Sequence, residues 1–591
     1  MPIVYSKNVG WACKEKKIVR EKLIILYGEA RGNACYKRLM TLLDTFRADH
    51  PELAQRSAPP GGVSEQDVML ITYGDTLLAS DAAPEAPLQT LHRFLRAYLG
   101  DVLSAVHILP FFPYTSDYGF SIVDYKAVNP DLGSWADVRA LGTTFDLMFD
   151  AVINHISVQS AWFQGFLSSD PRYQDYFIAV DPTTDLSQVV RPRALPLLTE
   201  FATAGGPKHV WTTFSADQVD LNYASENVLL DVIDVLLFYV SQGMTFLRLD
   251  AIAFLWKEIG TNCLHLTETH LIVQLIREVF DAVAPYVTII TETNVPHEEN
   301  VSYFGDGTNE AQLVYQFPLP PLTLHAIATG NATILSQWAA SLETPSEQTT
   351  FFNFTASHDG IGLRPTEGIL READVAMLVE RTKAHGGEAL VRTLPDGSTR
   401  PYELNINYFD ALSDPAADEP IARQVQRFMV SQAIQLALVG MPGIYVHSLL
   451  GSRSWRAGID LWGELRAINR EQLPVAALAA EFADPDSRRS QVLAAYRHLI
   501  TIRRREKAFH PNGEQQVLDL DPVVFALLRT ALAGDEQIVA LHNVADAPVT
   551  VDLQRIPLDS VTTYTDLITA TPVQADAKLE LQPYQILWLK A

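Results

Sequence analysis

The sequence predicts an α/β protein built on a (β/α)8 barrel with inserted subdomains and a C-terminal all-β domain. Three observations carry this. Short apolar runs alternate with segments of helical periodicity from about Val68 to Arg505, the rhythm of a parallel α/β domain. Eight of those runs can serve as buried strands, the number a closed barrel of this kind needs. Beyond Arg503-Arg-Arg-Glu-Lys507 the pattern changes to short alternating stretches separated by turns, which marks a separate all-β tail.

Residues 1–60 place apolar side chains such as Ile24, Leu26 and Leu39 to Leu43 at helical spacing among lysines and arginines, so a helical extension is expected there. Ala58-Pro-Pro-Gly-Gly62 then breaks the chain. The barrel is expected over 61–156 and 223–510. Its strands lie in Val68–Gly74, Ser104–Pro110, Phe145–His155, Thr245–Leu249, Val287–Ile290, Leu313–Phe317, Phe351–Phe354 and Gly443–Val446. Ser134 with Asp137 has the capping-box spacing of a helix start. Residues 157–222 are polar and loop-rich and read as an insertion after the third strand. Residues 360–420 read as a second insertion, with a hairpin turn at Leu394-Pro-Asp-Gly-Ser398. The tail, 511–591, reads as a β-sandwich with strands in Gln516–Leu520, Val524–Leu528, Ile538–His542, Val549–Leu553 and Leu579–Leu589. The arginine triplet at 503–505 is expected on the solvated face of the last barrel helix.

A formal net charge of −25 over 591 residues repels polyanions, which argues against nucleic acid or an anionic membrane surface as partner. A small anion in a locally basic pocket is still compatible with it. Cys13, Cys35 and Cys263 are too few and too far apart for a disulfide framework and lack metal-ligand spacing. The first residues lack the basic-then-apolar pattern of a secretory signal, and the apolar stretch Leu271–Ile290 is interrupted by Arg277, Glu278 and Asp281. The cytoplasm is the expected location, and a homodimer the default assembly.

Chemistry is expected where Met244-Thr-Phe-Leu-Arg-Leu-Asp-Ala251 delivers charge to the end of a buried strand. Arg248 and Asp250 are two residues apart and so share a face, and the guanidinium favours an ionised carboxylate in a desolvated place. In a parallel barrel the downstream strand ends share one rim. Asp150, Asn154, His155, Arg248, Asp250, Glu292, His358 and Asp359 all fall at such ends. A structural ion pair would account for Arg248 and Asp250 alone, but four carboxylates, two histidines and an arginine are hard to explain as packing.

Asp150-Ala-Val-Ile-Asn-His155, Phe246-Leu-Arg-Leu-Asp250, Ile290-Thr-Glu292 and Ala356-Ser-His-Asp359 resemble, in order, the four motif regions of the α-amylase clan of retaining α-glucosidic enzymes. The resemblance implies that Asp250 is the nucleophile, Glu292 the general acid/base and Asp359 a third carboxylate holding sugar hydroxyls, with His155, Arg248 and His358 supporting the same unit. Retention needs two carboxyl groups about 5 Å apart, one ionised and one protonated, and neighbouring negative charge is expected to raise the pKa of Glu292.

Within the clan the chain is similar to the sucrose phosphorylase group. Pro113-Tyr-Thr-Ser-Asp-Tyr-Gly-Phe120 resembles its glucose-binding loop, implying contacts from Asp117 and Phe120, and Arg191-Pro-Arg193 resembles a segment that lends an arginine to the acceptor and phosphate side. Asp217 stands where that group often has another glutamine. Lys257–His265, Tyr303–Glu310, Pro401–Tyr408 and His447–Arg453 are most similar to the glucosylglycerate phosphorylase branch. The implied substrates are inorganic phosphate and an α-glucoside, preferably glucosylglycerate. Sucrose, sucrose 6-phosphate and glucosylglycerol phosphorolysis, and plain α-glucoside hydrolysis, are the alternatives, and a carbohydrate-binding protein that kept the fold is the non-enzymatic one. Arginines suit an anionic acceptor because their planar fork pairs two oxygens at once. Arg191 and Arg193 are the first candidates, then Arg364, Arg392 and Arg400, and the His297 ring could also touch phosphate. Asn154 marks a place where many amylases bind calcium, but neither metal nor cofactor is expected here.

Overall fold

The computed structural model describes residues 13–56, 62–79, 84–192, 195–393, 398–558, 561–576 and 578–591. Eight parallel strands close into a barrel: β1 (Met69–Thr72), β2 (Ala105–Ile108), β3 (Asp146–Ala151), β4 (Met244–Leu249), β5 (Thr288–Thr291), β6 (Leu313–Tyr315), β7 (Thr350–Asn353) and β8 (Met441–Tyr445). Around the ring the order is β1-β8-β7-β6-β5-β4-β3-β2. Every residue of β1, β2, β4, β6, β7 and β8 is buried, which is why these strands read as continuous apolar runs rather than alternating ones.

Two compact units make up the chain. One comprises the described residues of Met1–Gly62, Ile108–Thr293 and Val301–Leu313, the other those of Val63–His107, Asn294–Asn300 and Val314–Ala591. In the first, α1 (Cys13–Asp49) packs on α2 (Glu226–Ser241) and α3 (Thr267–Val283). It buries Val19, Leu23, Tyr27, Cys35, Leu39, Leu43 and Phe46, and Lys22 pairs with Glu278 at 2.6 Å. Ile24 and Leu26 are only partly covered, because the buried stripe runs through Val19, Leu23 and Tyr27 at a spacing of four. Gly28 breaks the helix at φ 77°, a backbone conformation that a side chain would strain. The 157–222 stretch holds a helix, Ala161–Leu167, and a hairpin, Leu198–Thr203 with Gly206–Trp211. Ser134 and Asp137 form the expected capping box, Asp137 accepting from the Ser134 N–H at 2.8 Å.

In the second unit β1 and β8 pair through Met69↔Gly443, Leu70↔Ile444 and Ile71↔Tyr445. A small antiparallel sheet follows β7: Ile361–Gly362 pairs with Thr399–Asn405, which pairs with Glu388–Thr393. The turn expected at Leu394–Ser398 lies in the middle of that hairpin, with 394–397 outside the described residues, as are 58–61 of the Pro-Gly break. The tail has a six-stranded sheet and a two-stranded one sharing a core that includes Val524, Leu528, Val539, Leu541, Val551, Leu581 and Leu589.

Two expectations are corrected here. Leu579–Leu589 is not one strand. Lys578–Leu581 pairs with Val549–Asp552, Ile586–Lys590 pairs with Gln537–Asn543, and Pro583 with Tyr584 at φ 57° turns the chain between them. Nor is the whole arginine triplet a solvated face: Arg505 is exposed and Arg504 partly covered, but Arg503 is not solvated. Arg503 is fully buried and donates to the carbonyls of Leu436, Glu65, Gly440 and Phe509 at 2.8–3.2 Å. Carbonyls at element ends have no ladder partner, and one guanidinium with five N–H groups satisfies several of them.

His542 in the tail is also buried, with Nδ1–H donating to the Phe525 carbonyl at 3.1 Å, and burial lowers its pKa to about 4. The unfolded chain takes up this proton near pH 6.5, whereas the folded chain does so only near pH 4. The contribution is therefore present above about pH 6.5 and lost as pH falls toward 4, at up to about 1.4 kcal/mol per pH unit. Thermal melts between pH 7 and 4.5 are expected to show a shallower acid loss for His542→Gln than for the parent, and equal slopes would refute this.

Candidate active site

In the first unit Asp150, Arg248, Asp250 and Glu292 meet at the downstream ends of β3, β4 and β5. Asp150 lies directly opposite Arg248 in the β3–β4 ladder, and Arg248 opposite Ile290 in the β4–β5 ladder. The register thus presents Asp250 and Glu292 one residue past the ends of neighbouring strands. The Asp250 N–H donates to the Ala151 carbonyl at 3.2 Å and the Glu292 N–H to the Leu249 carbonyl at 3.0 Å. Arg248 is almost wholly buried. It ion-pairs with fully buried Asp150, donates to Asp250 Oδ1 at 2.9 Å and approaches Glu292 Oε2 at 3.8 Å. Glu292 Oε2 also accepts from the Ala251 N–H at 3.1 Å. Ala251 holds φ 48°, a strained conformation for alanine that turns the chain sharply behind Asp250. A buried arginine fixed by one carboxylate and shared with two others keeps acidic side chains in a partly dry place without leaving any of them uncompensated.

Asp117 and Phe120 sit on a tight loop, with Asp117, Tyr118 and Gly119 at φ 53°, 50° and 104°. Gly119 is required: a Cβ there would come within 2.6 Å of the Pro110 carbonyl oxygen. The Phe120 ring lies 5.6 Å from the Arg248 guanidinium carbon. Gln218 holds the loop, donating to Asp117 Oδ2 at 3.1 Å and the Phe120 carbonyl at 3.0 Å. Asp217, whose part was open in the sequence, accepts from the hydroxyls of Thr115 and Ser116, so it anchors this loop. His155 is buried and its pKa is lowered by burial. Its Nε2–H donates to the Phe120 carbonyl at 2.8 Å, and its Nδ1 faces Asn154 Nδ2 at 3.3 Å.

Asn154 belongs to a buried polar nest. Lys257 Nζ lies 2.7 Å from Asn154 Oδ1 and 2.7 Å from Asp220 Oδ2, and Asp220 also accepts from the Thr213 N–H at 2.7 Å. The positive charge at this place is an ammonium. Among the described residues no group of three or more His, Cys, Asp or Glu is disposed to hold a metal ion. Replacing Lys257 by methionine strands Asp220 without its counter-charge, an expected loss of about 3–5 kcal/mol. Urea unfolding should show it, and Lys257→Met combined with Asp220→Asn should recover part of it. An unchanged midpoint for the single variant would refute the pairing.

In the second unit Asp359 ion-pairs with Arg466 at 2.6 Å and lies 3.5 Å from the His358 ring and 3.9 Å from Arg470. Arg466 also forks onto Glu403 at 2.6 and 3.0 Å, tying Asp359 to the Thr399–Asn405 strand. Arg470 donates to the His358 carbonyl at 3.0 Å and lies over the Tyr73 ring. Asp75, bonded to Gln472 at 2.8 Å, has its pKa raised by burial. Tyr73, Asp75, Glu403, Arg466 and Arg470 escaped the sequence reading. Of the arginines expected near an anion, Arg191 is exposed and donates to the Leu195 carbonyl at 3.2 Å, Arg193 lies outside the described residues and Arg400 is exposed. Arg364 and Arg392 are largely covered.

A closed parallel barrel with arginine-linked carboxylates at its strand ends is the architecture of α-amylase-type enzymes, and a family model described as the α-amylase catalytic domain matches residues 97–360. A glucosylglycerate phosphorylase of Allomeiothermus silvanus is 51% identical over 90% of this chain and 93% of its own length, and one of Escherichia coli 44% identical over 89% and 92%. Among solved structures, a sucrose 6F-phosphate phosphorylase of Thermoanaerobacter thermosaccharolyticum superposes with TM-score 0.70 at 25% identity, covering 81% of this chain and 94% of that one. The chain belongs to the α-amylase family and, within it, to the glucosylglycerate phosphorylases. No helix among the described residues is long and apolar enough to cross a membrane.

Proposed function

We propose that this enzyme transfers glucose from glucosylglycerate to inorganic phosphate with retention, giving α-glucose 1-phosphate and glycerate. The observation that supports it most is the pair of strand-end carboxylates, Asp250 and Glu292, gathered around one buried guanidinium. In this reading ionised Asp250 attacks C1 while Glu292 gives its proton to the departing oxygen, so the glycosidic bond breaks as a glucosyl ester forms. A phosphate oxygen then attacks C1, its proton passes to Glu292, and the ester bond breaks to restore the Asp250 carboxylate. His155, Asp117 and Phe120 hold the glucosyl unit, and no cofactor takes part. The enzyme works in the cytoplasm, as a homodimer.

Glucosylglycerate in phosphate buffer is expected to yield glucose 1-phosphate in large excess over glucose. Glucose as the main product would make the enzyme a hydrolase. In the reverse direction, glucose 1-phosphate with glycerate, fructose, fructose 6-phosphate or glycerol should release phosphate fastest with glycerate.

A further inference from the structure

The fully buried arginines Arg503 and Arg529 spend their donors on carbonyls of the protein itself. Arg364 does not. It follows the short strand Ile361–Gly362, five residues beyond Asp359, and its side chain is only 13% exposed. Its Nε is buried without a hydrogen bond, and its ion pair with Glu299 spans 3.6 Å, beyond hydrogen-bond reach. Burial and the neighbouring Arg392, itself paired with Glu367, both disfavour its charge. Sequestering a guanidinium this way is costly unless an anion meets it.

The segment packed against it carries further unspent groups. Asn294–Asn300 begins two residues beyond Glu292 in the chain. Gly362 lies so close to Asn294 that a Cβ there would come within 2.9 Å of its Oδ1, and Glu299 of the same segment is the residue that faces Arg364. Asn294 Oδ1 and His297 Nδ1 are both buried without a hydrogen bond in the protein. Burial lowers the His297 pKa, so the ring is neutral and one nitrogen can accept. Cationic N–H groups beside neutral acceptors match a molecule that carries an anionic group next to hydroxyls.

We propose that Arg364, with Asn294 and His297 of the adjoining segment, grips the anionic group of the acceptor, the carboxylate of a small hydroxy acid or an oxygen pair of phosphate. This rests on the phosphorylase reading above and names how that reaction tells charged acceptors from neutral ones. A planar fork binds either group through two parallel hydrogen bonds, whereas a neutral polyol leaves the arginine unanswered.

The test uses α-glucosyl fluoride as donor, because its leaving group needs no such site, and compares glycerate, phosphate and glycerol as acceptors by transfer product per fluoride released. Arg364→Gln should lower transfer to glycerate, to phosphate or to both by about 100-fold while leaving fluoride release and transfer to glycerol within about threefold. Loss for one anion alone assigns the site to that source, and loss for both makes it shared. Arg364→Lys keeps a point charge without the fork and should lose about tenfold for the same anion, which covers a glutamine variant that fails to fold. Anion transfer unchanged in either variant overturns the proposal. A parent that releases fluoride but transfers to neither glycerate nor phosphate would instead fail the phosphorylase reading.

Discussion

Replacing Asp250 by asparagine is expected to lower kcat/KM for phosphorolysis by about 10⁴-fold or more, because an amide cannot form the glucosyl ester on which both half-reactions depend. The fold should survive, since Arg248 keeps its contact with Asp150. Chemical rescue assigns the role. With α-glucosyl fluoride, Asp250→Ala leaves room for azide to displace fluoride directly from the opposite face of the ring, so the product should be the β-glucosyl azide. An Asp250 variant with parental activity would leave a carbohydrate-binding protein as the better description.

Glu292→Gln should separate by leaving group. Glycerate departs as a poorly stabilised alkoxide and needs a proton, so phosphorolysis should fall by about 10²–10⁴-fold, the usual worth of a positioned acid. Fluoride departs without one, and its release should fall far less. Azide added to Glu292→Ala attacks the ester from the face that glycerate left, giving the α-glucosyl azide. The same anomer from both alanine variants would sink the division of labour between the two carboxylates.

The carboxylates proposed for these roles were legible because they sit in short motifs at the ends of apolar runs, and buried parallel strands advertise themselves as such runs. All eight staves fall within a few residues of where the pattern puts them. What escaped has no period to betray it. Ile361–Gly362 is two residues long, and Thr563–Asp566 and Thr571–Gln574 of the tail carry little apolar alternation. Arg466 and Arg470 come from a single 3₁₀ turn and its end, and their partners, Asp359, Glu403 and the His358 carbonyl, are 60 or more positions away in the chain. Arg503 misled for the opposite reason: a cluster of like charges reads as solvated, and only the convergence of loose carbonyls around one of its members says otherwise.

That convergence reaches beyond local bonding. The carbonyls Arg503 gathers come from the stretch leading into the first stave, from the approach to the last stave, and from the doorway of the tail. One side chain therefore clasps the seam where the ring shuts, and it does so from the far end of the polypeptide. A nascent chain halted between Tyr445 and Arg503 would carry all eight staves yet lack the buckle that joins the carbonyls on either side of that seam.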